Sequence, residues 1–131
     1  METKNKIILL ADDDQDDRSI FAEALELVDP AMVFFSSENG CEALKRLATR
    51  GFRPDVIFMD INMPVMDGVE CLRNIMQSDR YKKIPVIMLT TSGLEETKQE
   101  CLKLGAAGYI QKPDSIKKMT EAIRNALEIL P

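Results

Sequence analysis

The 131-residue chain contains no histidine and no tryptophan, and its only thiols are Cys41, Cys71 and Cys101. The three cysteines are odd in number and lie within helical patterns, so the sequence does not support a disulfide framework. With no histidine anywhere in the chain, it does not support a Cys/His zinc site either. We therefore expect the cysteines to be small buried hydrophobic residues.

Long hydrophobic runs and clusters of positive charge are also missing. The first apolar run, Ile7 to Ala11, is too short for a signal peptide or a membrane span. The net charge is −5 and the Lys and Arg residues are scattered, so direct binding to nucleic acid is not expected. No linker or low-complexity tract divides the chain. These features predict one cytoplasmic domain over residues 1–131, without membrane contact.

Five short apolar runs alternate with five segments of helical periodicity. The runs are mostly unbroken by polar residues, which is typical of parallel strands that are covered by helices on both faces. The predicted strands are 7–11, 31–35, 56–60, 84–89 and 109–111. Predicted helices follow them, ending at Asp29-Pro30, at Gly51, near Met76, at Leu104 and near the C-terminus. This alternation predicts an α/β fold with a doubly wound, five-stranded parallel sheet.

Charged and hydroxyl side chains stand where four of the predicted strands end. The acidic pair Asp12-Asp13 follows the first strand, and Asp60 ends the third. Thr90 follows the fourth strand and Lys112 the fifth. Because functional crevices of such sheets lie outside the carboxyl ends of the strands, we expect these groups to converge. Singly, Asp60 could begin a turn, Thr90 could cap a helix and Lys112 could be solvated.

The loop after the first strand contains further aspartates besides Asp12 and Asp13. Three of its residues are expected to cap and solvate the N-terminus of the first helix, namely Asp14, Asp16 and Asp17. The adjacent carboxylates of Asp12 and Asp13 fit that explanation less well, because they repel one another unless a cation or strong donors compensate. Ser115 or Asp114 is expected to cap the last helix in the same way.

Three clustered carboxylates without His or Cys are hard oxygen ligands, which suit Mg²⁺ better than zinc or copper. Mg²⁺ commonly completes its shell with waters and phosphate oxygens. An aspartate can itself be a nucleophile and form an aspartyl phosphate, while a metal ion, a lysine and a hydroxyl stabilise the phosphoryl oxygens. The predicted set of side chains therefore permits phosphoryl transfer.

The chain resembles the receiver domain of bacterial two-component response regulators. The resemblance is carried by Asp12-Asp13, Asp60, Asn62-Met63-Pro64, Asp67-Gly68, Thr90, Tyr109 and Lys112-Pro113. It spans essentially the whole chain, and the spacings are similar to those of the single-domain chemotaxis regulators. It implies the flavodoxin-like strand order 2-1-3-4-5 and a receiver without an output domain.

The resemblance also implies a role for each matching residue. Asp60 would accept a phosphoryl group from a sensor histidine kinase or a histidine phosphotransfer protein. Asp13, Asp60 and the backbone carbonyl of Asn62 would hold Mg²⁺, and Asp12 would act through a metal-bound water. Lys112 would pair with Asp60 and then with the phosphoryl oxygens. The chain would thus be a phosphoacceptor rather than an enzyme with a separate substrate.

Thr90 and Tyr109 resemble the switch pair of the family. Thr90 would hydrogen-bond the phosphoryl group, and the ring of Tyr109 would turn inward as Thr90 moves. The surface of the fourth helix, fifth strand and fifth helix would then change and bind a downstream protein. The fourth helix has few apolar positions and is expected to be weakly anchored. As in relatives, the Lys112-Pro113 bond is expected to be cis.

Two positions depart from the family pattern, and two other functions compete with this interpretation. Asp14 and Thr91 stand where relatives commonly have other residues, Thr91 in place of Ala. One rival is a pseudo-receiver, an interaction module that is not regulated by phosphorylation. The intact residue set argues against it. The other is a flavin carrier, whose phosphate site needs hydroxyls and backbone donors, whereas the loop after the first strand offers five carboxylates.

Overall fold

The computed structural model describes residues 5–130, in which five β-strands alternate with five α-helices. The strands are β1 (Ile7–Ala11), β2 (Val33–Ser37), β3 (Val56–Asp60), β4 (Val86–Thr90) and β5 (Gly108–Gln111). The helices are α1 (Gln15–Val28), α2 (Gly40–Leu47), α3 (Gly68–Met76), α4 (Glu95–Leu104) and α5 (Ile116–Glu128). All strand pairs are parallel, in the order β2-β1-β3-β4-β5. The predicted fold class and strand order are confirmed.

The register of the sheet brings the carboxyl ends of β1, β3, β4 and β5 to one edge. Ala11 pairs with Met59, so Asp12 stands beside Asp60. Thr90 pairs with Gln111, and the amide of Lys112 donates to the Thr90 carbonyl at 2.7 Å. The polar and charged residues at the ends of these strands therefore leave the sheet next to one another.

The sheet separates two hydrophobic layers. Alternate residues of β3 face opposite sides, with Ile57 and Met59 on one side and Phe58 on the other. The first layer contains buried residues of α2, α3 and α4, and the second contains buried residues of α1 and α5. Because β3 and β4 are covered on both faces, every residue of these two strands is buried. This burial explains why the strands are continuous apolar runs.

Several predicted boundaries are wrong. β2 ends at Ser37 rather than at residue 35. β4 begins at Val86 rather than at residue 84, because the Ile84 amide closes a turn with the Tyr81 carbonyl and Pro85 has no amide to donate.

β2 begins at Val33 rather than at residue 31, because the Asp29 carboxylate accepts a hydrogen bond from the Ala31 amide at 2.9 Å and holds a turn there. α2 ends at Leu47, several residues before Gly51. Gly51, with a φ of +84°, lies within the following turn rather than at the end of the helix. The errors at the start of β2 and at the end of α2 come from hydrogen-bonded turns next to these elements.

α4 is the least anchored helix in the part of the chain that the structure describes. Cys101 is its only buried residue, and no side chain caps its N-terminus. The other helices have N-cap side chains, supplied by Asp14, Asn39, Asp67 and Ser115. The predictions for α4, Asp14 and Ser115 are confirmed. Within residues 5–130, none of the helices has the length and apolarity that crossing a membrane requires.

The cysteines are free thiols with different degrees of burial. Cys71 and Cys101 are fully buried, as predicted, whereas Cys41 is only partly buried. Burial raises the pKa of Cys71 to about 12 and also raises the pKa of Cys101, so these two residues are protonated at neutral pH. They act as hydrophobic residues of the core.

Candidate functional site

Three aspartates form an acidic pocket at the carboxyl edge of the sheet. One carboxylate oxygen from each of Asp12, Asp13 and Asp60 lies within 4.8 Å of the other two. Asp12 is 1% exposed and Asp60 is 5% exposed, whereas Asp13 is exposed to solvent. The pocket therefore has two buried carboxylates and one that opens to water. The predicted convergence of these residues is confirmed.

The loop after β3 is packed tightly beneath Asp60. The amide of Gly68 donates to the Ile61 carbonyl at 2.8 Å, which turns the chain into α3. A Cβ at position 68 would overlap the backbone carbonyl oxygen of Asp60, so only glycine fits there. Val65, in the same loop, has a φ of +68°, which is rare for a β-branched residue. The loop is thus held in one shape by its close contact with the strand that presents Asp60.

Lys112 supplies the positive charge of the pocket. Its Nζ lies 2.9 Å from Asp12 Oδ2, 2.8 Å from Asp17 Oδ2 and 3.4 Å from Asp60 Oδ2. The Lys112 side chain is only 9% exposed. The structure thus brings Lys112 to Asp60 as predicted. The prediction that the Asp17 carboxylate caps α1 is wrong, because it binds Lys112 instead. Asp17 and Lys112 are 95 positions apart, and no local pattern in the sequence signals their pairing.

Burial dominates the electrostatics of the two inner carboxylates. It raises the pKa of Asp60 from 3.8 to about 6, because the nearby charge of Lys112 offsets only part of the desolvation and the charge of Asp12 adds to it. Burial also raises the pKa of Asp12, although the Asp14 amide and Lys112 donate hydrogen bonds to its carboxylate. Asp60 is therefore ionised at neutral pH but is less stable in that form than an exposed aspartate.

Lys112 responds to the same surroundings in the opposite sense. Burial alone lowers the pKa of this lysine. Hydrogen bonds to Asp17 and Asp12, together with the charges of Asp12 and Asp60, more than offset that effect and place the pKa above its ordinary value. Lys112 therefore keeps its charge over the whole physiological pH range.

Thr90 and Tyr109 are connected through Ser92, which lies in the loop after β4. The Ser92 amide donates to Thr90 Oγ1 at 3.1 Å, and the hydroxyl of Tyr109 donates to the Ser92 carbonyl at 3.2 Å. Thr90 is 1% exposed and Tyr109 is half-buried. Burial raises the pKa of Tyr109, so its hydroxyl stays a donor at neutral pH. The loop thus links the two residues of the predicted switch.

The remaining predicted features have mixed outcomes. Asn62 is exposed in the loop two residues after Asp60. Asp14 accepts a hydrogen bond from the Asp17 amide at 3.0 Å, as a helix cap. The Lys112-Pro113 bond is trans, since residues 5–130 contain no cis peptide bond, and the prediction of a cis bond is wrong. The trans isomer is intrinsically favoured at X–Pro bonds, and in it Lys112 already reaches the acidic pocket.

Relatives of known structure share this fold. The phosphorylated cyanobacterial phytochrome response regulator RcpA superposes with a TM-score of 0.87 at 28% identity, covering 95% of this chain and 93% of that chain. The Mn²⁺-bound form of response regulator Rcp1 superposes with a TM-score of 0.83 at 29% identity, with the same coverage of 95% and 93%.

Sequence relatives include both short and long proteins. The chain is 36% identical over 122 residues to the chemotaxis protein CheY of Halobacterium salinarum, which covers 93% of this chain and 97% of that protein. It spans only 28% to 33% of several protein-glutamate methylesterases that it also matches. The family model described as "Response regulator receiver domain" matches residues 8–124. The family model covers most of the chain, and the chain aligns with the H. salinarum CheY over almost the full length of both proteins. The chain therefore belongs to the response regulator receiver family.

Proposed function

We propose that this receiver accepts a phosphoryl group on Asp60 from a sensor histidine kinase or a histidine phosphotransfer protein. One observation carries the proposal. The buried carboxylate of Asp60 lies 3.4 Å from the ammonium of Lys112 and within 4.8 Å of oxygens from Asp12 and Asp13. A nucleophile, a fixed cation and additional oxygen ligands are thus placed around one point at the edge of the sheet.

The chemistry of the proposed step is a transfer between two nucleophiles. An ionised Asp60 oxygen attacks the phosphorus of the donor phosphohistidine, and an O–P bond forms as the P–N bond breaks. The electron pair of the broken bond stays on the imidazole nitrogen, and Asp60 becomes an acyl phosphate. Lys112 would neutralise phosphoryl oxygens, and the Thr90 hydroxyl would donate a hydrogen bond to one of them. With a pKa of about 6, Asp60 is mostly ionised and ready to attack at neutral pH.

The acidic pocket fits a divalent cation of the Mg²⁺ type. Its donors are carboxylate oxygens from Asp12, Asp13 and Asp60, and the chain has no histidine that would favour zinc. Asp13, Asp60 and the backbone carbonyl of Asn62 would hold the ion, with Asp12 acting through a water. When bound, Mg²⁺ would neutralise charge on the transferring phosphoryl group. Response regulator Rcp1, which shares this fold, has a Mn²⁺-bound form, and this supports the binding of a divalent cation by the present chain.

The proposed output is a change in the surface formed by α4, β5 and α5. Movement of Thr90 toward a phosphoryl group would disturb its hydrogen bond with the Ser92 amide, and the Ser92 carbonyl holds the hydroxyl of Tyr109. α4 is poorly anchored, so little free energy opposes its displacement. A downstream protein would bind this surface around Tyr109 and Ile110. Three further statements stay predictions: that the receiver has no output domain, that it acts in the cytoplasm, and that it is not an enzyme with a separate substrate.

Labelling by a small phosphoryl donor tests the proposal. Wild-type protein incubated with acetyl phosphate and Mg²⁺ is expected to gain one phosphoryl group that base and hydroxylamine remove, and no label is expected with a chelator. Asp60→Asn should take no label, whereas Asp114→Asn, a change at an exposed aspartate outside the pocket, should be labelled as wild type is. Absence of label on wild type, with a phospho-kinase as donor as well, would favour the pseudo-receiver.

A further inference from the structure

Asp17 makes the shortest of the three ion pairs formed by the buried ammonium of Lys112. Nζ lies 2.8 Å from Asp17, against 2.9 Å from Asp12 and 3.4 Å from Asp60. Lys112 donates hydrogen bonds to Asp17 and Asp12, while its contact with Asp60 is a longer ion pair. The lysine is therefore directed toward α1 more strongly than toward Asp60.

Helix capping does not account for the carboxylate of Asp17. The N-cap of α1 is Asp14, and Asp17 contributes its backbone amide to that cap. The Asp17 carboxylate instead extends to Lys112, which follows the last strand of the sheet. Its neighbour Asp16 lies in the same helical turn and is exposed, and among residues 5–130 it forms no ion pair. The contact with Lys112 thus depends on the position of Asp17 in the helix and not simply on negative charge in the first turn of α1.

Asp12 and Asp17, the two hydrogen-bond partners of Lys112, differ in the free-energy cost of losing their hydrogen bond to the lysine. An ammonium has three N–H donors, and Asp12 and Asp17 occupy two of them. Asp12 is buried, so losing the lysine would leave its carboxylate away from water with only the Asp14 amide as a hydrogen-bond donor. The side chain of Asp17 is 38% exposed and can be hydrated instead. Asp17 is therefore the partner that Lys112 gives up at lower cost.

We propose that Asp17 is a positioning residue that holds Lys112 back from Asp60 and so opposes the engagement of a phosphoryl group there. The inference rests on the proposed function of Asp60. On this proposal, the strength of the Asp17–Lys112 ion pair affects how readily Lys112 binds the phosphoryl oxygens. A weaker pair frees the lysine for these oxygens, and a stronger pair keeps it at Asp17. Asp17 acts through Lys112 and does not touch the reacting atoms.

A thermal double-mutant cycle tests the contact without phosphorylation. Asp17→Asn should lower the Tm when Lys112 is present, because a charged hydrogen bond is lost. In a Lys112→Met background it should raise the Tm, because it then relieves repulsion among carboxylates. Asp16→Asn should shift the Tm equally in both backgrounds. If Asp17→Asn has the same effect in both, the contact is overturned. If Lys112→Met does not fold, a crystal structure of Asp17→Asn decides: Nζ must lie within hydrogen-bond distance of Asp60.

Binding of beryllium fluoride in the presence of Mg²⁺, as a mimic of an Asp60 phosphoryl group, tests the consequence. Asp17→Asn should bind the mimic about two- to fivefold more tightly, a modest gain because the Asp17 pair is partly screened by water. Asp17→Glu, which keeps the charge, should be closer to wild type, and Asp16→Asn should match wild type. Weaker binding by Asp17→Asn, or an equal gain in Asp16→Asn, overturns the proposal. Failure of wild type itself to bind contradicts the proposed function and this inference with it.

Discussion

Replacing the buried Asp60 carboxylate by an amide is predicted to stabilise the metal-free protein at neutral and alkaline pH. Burial raises the pKa of Asp60 from 3.8 to about 6, so the folded state holds a proton at this residue more tightly than the unfolded chain does. Stability then falls as the pH rises from 3.8 to about 6, and the full penalty is present above the folded-state value. The neutral amide of the Asp60→Asn variant would carry no such penalty.

The expected size of the effect follows from that pKa difference. A rise in pKa from 3.8 to about 6 corresponds to about 3 kcal/mol at pH 8, a substantial part of the roughly 5–15 kcal/mol that stabilises a domain of this type. The gain of Asp60→Asn should shrink as the pH falls and should vanish below about pH 4. Asp60 is 5% exposed, so solvent screens little of the effect.

Urea denaturation in the presence of a chelator, at about pH 8, 6 and 4, measures the prediction. The linear extrapolation gives the free energy of unfolding at each pH, and unchanged m-values would show that only stability has changed. Asp114→Asn, at a side chain that is 86% exposed, is the matched control and should differ little from wild type at any pH. A destabilised Asp60→Asn at the alkaline pH, or a gain of the same size at the acidic pH, would refute the electrostatic account of the pocket.

Three further predictions concern the metal, the core and α4. Mg²⁺ should raise the Tm of wild type because the ion binds only the folded pocket. It should raise the Tm of Asp13→Asn by clearly less, because one ligand has lost its charge. Equal shifts of the two proteins in differential scanning fluorimetry would exclude Asp13 as a ligand. Leu72→Ala should lower the free energy of unfolding by about 2–5 kcal/mol in urea titrations, because Leu72 is fully buried between α3 and the sheet; a loss below about 1 kcal/mol would contradict its place in the core. Amides of α4 should exchange with deuterium faster than those of α3, since Cys101 is the only buried residue of α4 whereas α3 has four. Equal protection would count against a mobile α4.

Much of the site could be predicted from the sequence because the relevant signals are local. An apolar run that ends on an acid, a hydroxyl or a lysine fixes both a strand and the group at its end, and parallel pairing brings the ends together. This reasoning predicts that Asp12, Asp60, Thr90 and Lys112 lie at the carboxyl ends of their strands, where the structure has them. The poor anchoring of α4 was also visible, since it depends only on the number of apolar positions in that segment.

Other features depend on contacts that the local sequence does not encode. The pairing of Asp17 with Lys112 joins residues 95 positions apart, and Asp17 on its own has the character of an ordinary first-turn residue. The link from Thr90 through Ser92 to Tyr109 depends on the backbone path of a loop. The isomer of the Lys112-Pro113 bond is a matter of a small free-energy difference, which favours the trans form here.

Identification of the residue that carries the phosphoryl group tests the central claim most directly. The protein would be phosphorylated by a phosphohistidine donor with Mg²⁺ and then reduced with borohydride, which converts an aspartyl phosphate to homoserine and releases phosphate. Peptide mass spectrometry should find homoserine in place of Asp60, only in the sample that received both donor and Mg²⁺. Homoserine at Asp12 or Asp13, or unchanged Asp60 in a protein that has demonstrably taken up phosphate, would contradict the account.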